Sequence, residues 1–231
     1  MIPWEMLDSA DVPGRGGVIR LYQRGNEFSI RVAGQGELMN SRMHGSEDAL
    51  AEMTCSRLAG VAAPRLLIGG LGMGFTLAAA LIHAGDQAQI VVAELIPAVI
   101  EWNRGVLGGQ TGNPMNDSRV SVREGDVADL LQTESSAYDA ILLDVDNGPE
   151  GFTRRENDWL YDVDGLSAAY AALRPNGVLA VWSAGPAPDF MQRLFKIGFE
   201  VEEVRVRAHR SKGSRHVIWF ARKSDATIPF S

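Results

Sequence analysis

A glycine-rich turn, Gly69-Gly70-Leu71-Gly72-Met73-Gly74, stands between an apolar run and a helical pattern. In an open α/β fold this position lies at the carboxyl end of a strand, where nucleotides bind. The glycines lack the first, third and sixth spacing of a dinucleotide loop, and no Gly-Lys-Ser/Thr follows, so a pyrophosphate cradle is excluded. The remaining G-x-G-x-G pattern of Gly70, Gly72 and Gly74 allows the backbone to pass close to a nucleoside with a thioether or sulfonium tail. A tight turn without a ligand is the alternative interpretation.

An acid follows the next apolar run, at Glu94 in Val91-Val92-Ala93-Glu94. In nucleotide-binding α/β folds a carboxylate about 20 residues beyond the loop accepts hydrogen bonds from the ribose hydroxyls. Such charge-assisted bonds contribute about 1.5–3 kcal/mol each. The alternative is a structural role, because an acid before Pro97 also stabilises the start of a helix.

A second acid follows the third strand pattern, in Gly125-Asp126-Val127. Its carboxylate can accept a hydrogen bond from the exocyclic amine of adenine, while the N–H of Val127 faces a ring nitrogen. Asp126 also precedes a helical pattern and is a candidate N-cap. The two roles are compatible, so the sequence predicts a cofactor-binding role for Asp126 and Val127.

The fourth apolar run breaks into polar residues at Asp144-Val145-Asp146-Asn147-Gly148-Pro149. Asp144 is the candidate catalytic base, because a carboxylate can bind an ammonium group and remove its proton. Asp146 and Asn147 are candidate acceptor-binding residues beside it. In the alternative interpretation Asp144 caps the loop and Asn147-Gly148 only turns it.

Strand patterns alternate with helical patterns after Pro64, which is typical of a parallel sheet with crossover helices. The predicted strands are Arg65–Ile68, Gln89–Ala93, Val120–Arg123, Ala140–Asp144, Val178–Trp182, Val201–Val206 and His216–Ala221. The predicted helices are Phe75–His83, Pro97–Val106, Val127–Thr133, Asp158–Leu173 and Ala187–Ile197. No helix separates the last two strands, so they should form an antiparallel hairpin. The fold class is therefore α/β, with a Rossmann-like, doubly wound, mostly parallel seven-stranded sheet.

A small β module precedes this region. Val18–Tyr22 and Glu27–Val32 flank a Gly-Asn turn and predict a β-hairpin. Ser46 is a candidate N-cap for a helix that carries Leu50, Met53 and Leu58. We expect residues 1–60 to form an N-terminal module with a linking helix, and residues 61–231 to form the nucleoside-binding domain.

Composition restricts the class of protein. The chain has 231 residues, 45% of them hydrophobic, with one cysteine and a net charge of −7. A single cysteine excludes an internal disulfide and fits a reducing compartment, so we expect a cytoplasmic protein. The acidity disfavours nucleic acid as a partner. No apolar run approaches the roughly 20 residues of a membrane span. His44 and His83 lack ligand spacing, so no metal site is predicted.

The order and spacing of these motifs resemble class I S-adenosylmethionine-binding transferases, and more specifically the spermidine synthase family. The resemblance rests on the Gly17–Met39 hairpin, Ile68-Gly69-Gly70, Glu94, Asp117-Ser118-Arg119-Val120, Gly125-Asp126, Tyr138-Asp139-Ala140-Ile141 and the loop from Asp144 to Pro149. It implies that Asp144 deprotonates the attacking amine, and that Glu94 and Asp126 hold ribose and adenine. It also implies S-adenosylmethionine or its decarboxylated form as cofactor, methylthioadenosine as product, a cationic polyamine-type acceptor and a homodimer.

The chain departs from the family pattern at two acids. The family has an aspartate in the glycine loop that contacts the aminopropyl amine, and Gly72 stands there. Its second acid, three residues beyond the base, is replaced by Asn147. Without these carboxylates the site loses much of the field that selects a dicationic acceptor, so the resemblance predicts a transferase but not spermidine synthesis itself.

Three hypotheses follow from the sequence. The first is a spermidine synthase-like transferase that alkylates an amine, with Asp144 as base. The second is a methyltransferase acting on an unknown small molecule, which accounts directly for Gly72. The third is a non-catalytic module for nucleoside binding or dimerisation, in which the acidic edge is only solvated surface.

Overall fold

The computed structural model describes residues 2–14, 17–145, 148–149, 158–209 and 212–225. The strands are β1 (Glu5–Asp11), β2 (Val18–Arg24), β3 (Glu27–Val32), β4 (Gly36–Asn40), β5 (Arg65–Gly69), β6 (Gln89–Glu94), β7 (Val120–Glu124), β8 (Tyr138–Leu143), β9 (Leu173–Ser183), β10 (Phe199–His209) and β11 (Lys212–Lys223). The α-helices are α1 (Gly45–Ser56), α2 (Phe75–His83), α3 (Pro97–Arg104), α4 (Val127–Thr133), α5 (Asp158–Tyr161), α6 (Val163–Ala172) and α7 (Pro188–Ile197). Two short 3₁₀ turns lie at Gly108–Gln110 and Pro114–Asn116.

Strands β5 to β11 form one sheet in the order β10-β11-β9-β8-β5-β6-β7. The pairs between β5, β6, β7, β8 and β9 are parallel, and β11 pairs antiparallel with both β9 and β10. The predicted fold class and the C-terminal hairpin are therefore confirmed. The strand order reverses between β5 and β8, and open α/β sheets bind ligands at such a switch point.

Both faces of this sheet are covered, which explains its continuous apolar strands. Leu66 and Ile68 point into a core shared with α1 and α2, whereas Leu67 points into a second core under α4 and α6. Side chains alternate between faces with a period of two, so each strand feeds both cores.

The N-terminal region is a four-stranded antiparallel sheet, β1-β2-β3-β4, and not only the predicted hairpin. β1 escaped prediction because most of its side chains are exposed and it lacks apolar alternation. Ile19, Leu21 and Ile30 of this sheet belong to the same core as Leu66. The domain boundary after residue 60 stays a prediction.

Two local predictions were wrong. Ser46 does not cap α1: His44 occupies the N-cap position, and Ser46 is buried inside the first turn. The single helix Asp158–Leu173 is two helices, because the Asp162 carboxylate accepts hydrogen bonds from the N–H groups of Asp164 and Gly165 and starts α6 afresh. Asp162 is thus an N-cap in the interior of the predicted helix.

Close packing at Gly70 gives a test of the fold. A Cβ on Gly70 would lie 2.4 Å from the carbonyl oxygen of Asp144, and φ is +89°. Gly85 has a similar φ of +84° with no atom within 4 Å. We expect Gly85→Ala to cost about 1–2 kcal/mol of unfolding free energy for the left-handed backbone alone. Gly70→Ala should cost about 1–3 kcal/mol more, because of the clash. Urea denaturation of both variants measures the difference, and equal losses would contradict the packing described.

Candidate active site

Two adjoining cavities lie at the carboxyl edge of the large sheet. The larger encloses about 130 Å³ and the smaller about 70 Å³. Their common wall is formed by Leu38, Met39, Gly72 and Asp144. The predicted site residues Gly70, Glu94, Asp126 and Val127 also line the larger cavity. The structure therefore brings the acids from three strand ends to one place.

The glycine loop is fixed by backbone and amide hydrogen bonds. The N–H of Gly70 donates to the carbonyl of Ala93 over 2.9 Å, and the Asn103 amide donates to the carbonyl of Gly72 over 2.8 Å. Gly69 packs on Val127, and Gly74 is the N-cap of α2. Gly69 and Gly74 thus shape the turn from behind, while Gly70 and Gly72 face the cavities.

Glu94 is buried beneath this loop, with 7% of its surface exposed. Its two carboxylate oxygens accept hydrogen bonds of 2.8 Å from the N–H groups of Leu71 and Ile96. Burial raises the pKa of Glu94, and these N–H groups act against that rise. Each carboxylate oxygen has two lone pairs, so both retain acceptor capacity toward a ligand.

Asp126 has the N-cap role that the sequence allowed. Its carboxylate accepts a hydrogen bond of 2.9 Å from the N–H of Ala128, and it lines the larger cavity at the same time. Val127, the first residue of α4, is buried beside it. Gly125 is tied to the end of β6, since its N–H donates to the carbonyl of Glu94.

Asp144 lies at the junction of the two cavities. Its backbone N–H donates to the carbonyl of Gly69, and its carboxylate accepts a hydrogen bond of 2.5 Å from the Thr76 hydroxyl. Burial raises the pKa of Asp144 to about 6, against the opposing effect of Thr76. A carboxyl group with that pKa is largely ionised at neutral pH and can accept a proton.

Glu47 is a site residue that sequence reasoning missed. It lies in the first turn of α1 and lines the smaller cavity together with Asp144. Burial and the charge of Asp144 raise the pKa of Glu47 to about 7. Its sequence context gave only a helix-start signal, and no local pattern connects it with β8.

The N-terminal sheet supplies the apolar cover of the larger cavity. The covering side chains are Val12, Ile19, Ile30, Val32, Leu38 and Met39. The position of a Cβ on Gly72 would be 3.2 Å from the Met39 sulfur, so Met39 occupies the space beside this glycine. The strand pattern of the module did not indicate that it would close the site.

Other large side chains lie in different parts of the structure. Trp102 is core, and its indole N–H donates to the Asp8 carboxylate. Trp182 and Met73 line the smaller cavity. Asp146 and Asn147 lie outside the described residues, so their predicted acceptor contacts stay predictions.

Across the described residues, no group of three or more His, Cys, Asp or Glu side chains could hold a metal ion. No helix of the described stretches is long and apolar enough to cross a membrane.

Solved structures with a similar fold include spermidine synthases. The chain superposes on the enzyme from Thermotoga maritima with a TM-score of 0.75 and 20% identity, covering 96% of this chain and 74% of that one. A spermidine synthase in complex with the transition-state analogue AdoDATO gives the same values. A probable spermidine synthase from Corynebacterium glutamicum ATCC 13032 gives a TM-score of 0.65 and 14% identity, covering 94% and 79%. These likenesses define the fold as that of the spermidine synthases.

A family model extends the assignment from fold to family. The spermine/spermidine synthase domain matches residues 60–188, more than half of the chain. The chain belongs to this family, as a divergent member, and membership supports a transferase activity. No curated protein matches the chain significantly.

The coupling of the two carboxyls can be tested by titration. Asp144→Asn removes the negative charge that opposes ionisation of Glu47. We expect the pKa of Glu47 to fall from about 7, while remaining above its ordinary value because the side chain stays half-buried. Carbon-13 NMR of the carboxyl groups measures the shift, and the exposed Glu52 of the same helix is the internal control. An unchanged Glu47 titration would show that the two groups do not interact.

Proposed function

We propose that the protein transfers an alkyl group from a sulfonium nucleoside to an amine, with Asp144 as the base. The nucleoside is S-adenosylmethionine or its decarboxylated form. The observation that carries the proposal is the position of Asp144, which lines both cavities at their junction. A base at this point reaches the acceptor on one side and the reactive carbon of the donor on the other.

The larger cavity is the proposed nucleoside site. Glu94 holds the ribose hydroxyls through its remaining lone pairs, and Asp126 accepts the exocyclic amine of adenine beside the N–H of Val127. All three residues line this cavity. The glycine loop allows the thioether end to approach Gly70 and Gly72 closely.

Proton removal is the chemical task of the chain. An aliphatic amine has a pKa of about 10, so only about one in a thousand is unprotonated at pH 7. Asp144 takes the ammonium proton, the nitrogen then forms a bond to the carbon next to sulfur, and the carbon–sulfur electron pair stays on sulfur. With the decarboxylated donor, the products are the alkylated amine and methylthioadenosine.

The apolar cover supports this reaction by excluding water. Its six side chains from the N-terminal sheet carry no charge. A water-poor site strengthens electrostatic interactions and prevents hydrolysis of the donor. Holding donor and acceptor in line provides the larger part of the rate enhancement, with effective molarities of about 10⁵–10⁸ M.

Methyl transfer is the second candidate, and the surroundings of Gly72 favour it. The Met39 sulfur lies beside Gly72, where the family has a carboxylate for the amine of the aminopropyl tail. Intact S-adenosylmethionine also carries a carboxylate, which an apolar neighbour and backbone N–H groups suit better than an aspartate does.

Nucleoside affinity tests the larger cavity. Asp126→Asn keeps an N-cap oxygen, because Asn caps helices as well as Asp, but it presents an amide where the adenine amine needs an acceptor. We expect about tenfold weaker binding of methylthioadenosine by calorimetry, with an unchanged melting temperature. Asp129→Asn, an exposed position in the same helix, is the matched control and should bind normally. No binding to the wild type at millimolar concentration would overturn the proposed function.

Turnover tests the base. Asp144→Asn should reduce kcat by about 10²–10⁴, the usual contribution of general base catalysis, while the Kd for methylthioadenosine is preserved. Donors labelled in the methyl or in the aminopropyl group, incubated with an amine panel, show which group is transferred. Unchanged turnover in this variant would exclude Asp144 as the base, and no transfer from either donor would favour the non-catalytic hypothesis.

A further inference from the structure

Two acidic side chains line the smaller cavity. Glu47 of α1 and Asp144 after β8 line it from different elements. The described residues lining this cavity include no Lys, Arg or His. Two half-buried carboxyl groups that approach each other share protons or bind a cation, because both cannot ionise freely. An ammonium group is the ligand that satisfies both.

Glu47 is held in place for such contact. The Ser46 hydroxyl donates to a carboxylate oxygen of Glu47 over 2.5 Å. The same Ser46 oxygen lies 2.9 Å from Nδ1 of His216 on β11. This connection fixes Glu47 against the large sheet, so its orientation does not depend on α1 alone.

Trp182 also lines this cavity. Its side chain is 9% exposed, and its indole N–H has no hydrogen-bond partner among the described residues. Leu143 pairs with Val181 in the parallel register of β8 and β9. Asp144 and Trp182 are the next residues along these two neighbouring segments. The ring is packed edge-to-face on His216, with centroids 4.8 Å apart.

An unpaired buried donor points to a ligand acceptor. Leaving such a group without a partner costs free energy, and most buried polar groups in proteins are paired. The Thr76 hydroxyl cannot supply a further donor, since it already donates to Asp144. A ligand oxygen next to Trp182 would pair the indole N–H, whereas a second ammonium group would not.

We propose that the smaller cavity binds an acceptor with one primary amine and one neutral oxygen, such as an amino alcohol. Glu47 and Asp144 hold the ammonium group, and the indole N–H of Trp182 donates to the oxygen. A carboxylate in place of the neutral oxygen is disfavoured by the two acids. This inference rests on the proposed function for its chemistry: Asp144 takes the proton, and the freed amine displaces the thioether from the sulfonium donor.

Three probes of equal carbon chain length test the inference. They are 4-aminobutan-1-ol, 1,4-diaminobutane and butylamine, titrated calorimetrically into the full chain with and without methylthioadenosine. The wild type should bind the amino alcohol at least tenfold more tightly than either other amine. Tighter binding of the diamine, or no binding of any probe, would overturn the inference.

Variants assign the two contacts. Glu47→Gln should weaken all three amines about tenfold or more without changing the Kd for methylthioadenosine, whereas Glu52→Gln, exposed on the same helix, should change neither. Trp182→Phe should bring the amino alcohol and butylamine to equal affinity. Equal amine affinities of the Glu47 and Glu52 variants would contradict the first contact. Tighter binding of the amino alcohol than of butylamine by the Trp182→Phe variant would contradict the second.

The two proposals fail in different ways. Amine binding that follows this pattern without any nucleoside binding would leave the acceptor site standing and remove the transferase reaction. Nucleoside binding together with tighter binding of the diamine would leave the transferase reaction standing and remove the amino alcohol site.

Discussion

The burial of the Glu94 carboxylate is the constraint on which the site depends. A buried carboxylate is costly unless hydrogen bonds satisfy it, and here the N–H groups of Leu71 and Ile96 do so. One of these donors is in the glycine loop, so the loop after β5 is tied to the end of β6. Gly70 then lies against the carbonyl of Asp144, which joins β8 to the same assembly. Three strand ends are thereby held in one arrangement before any ligand enters.

Sequence reasoning succeeded where local patterns and a general topological rule were enough. The bounds of α2 and α4 were predicted correctly, because apolar spacing and flanking turns define them. Glu94, Asp126 and Asp144 could be assigned to one edge because parallel strands bring their carboxyl ends together. That Glu47 and Trp182 line one cavity could not be predicted in this way. Their meeting depends on how α1 docks against the sheet, and that is a property of tertiary packing.

The site also has an energetic cost for the fold. Asp144 and Glu47 have pKa values raised to about 6 and about 7 in the folded protein, above those of an unfolded chain near 4. The folded state therefore binds more protons, so the stability these groups contribute at low pH is lost as pH rises through that range. The two carboxyl groups therefore oppose folding at neutral pH. A bound cation offsets this cost.

The two cavities share part of their walls, but each also has residues of its own. Leu38, Met39 and Glu47 lie on β4 and α1, whereas Glu94, Asp126 and Asp144 stand at strand ends of the large sheet. The family model begins at residue 60, beyond the first of these stretches. Divergence at Glu47 of α1 can therefore reshape the smaller cavity, while Glu94 and Asp126, which line the larger one, are inherited unchanged.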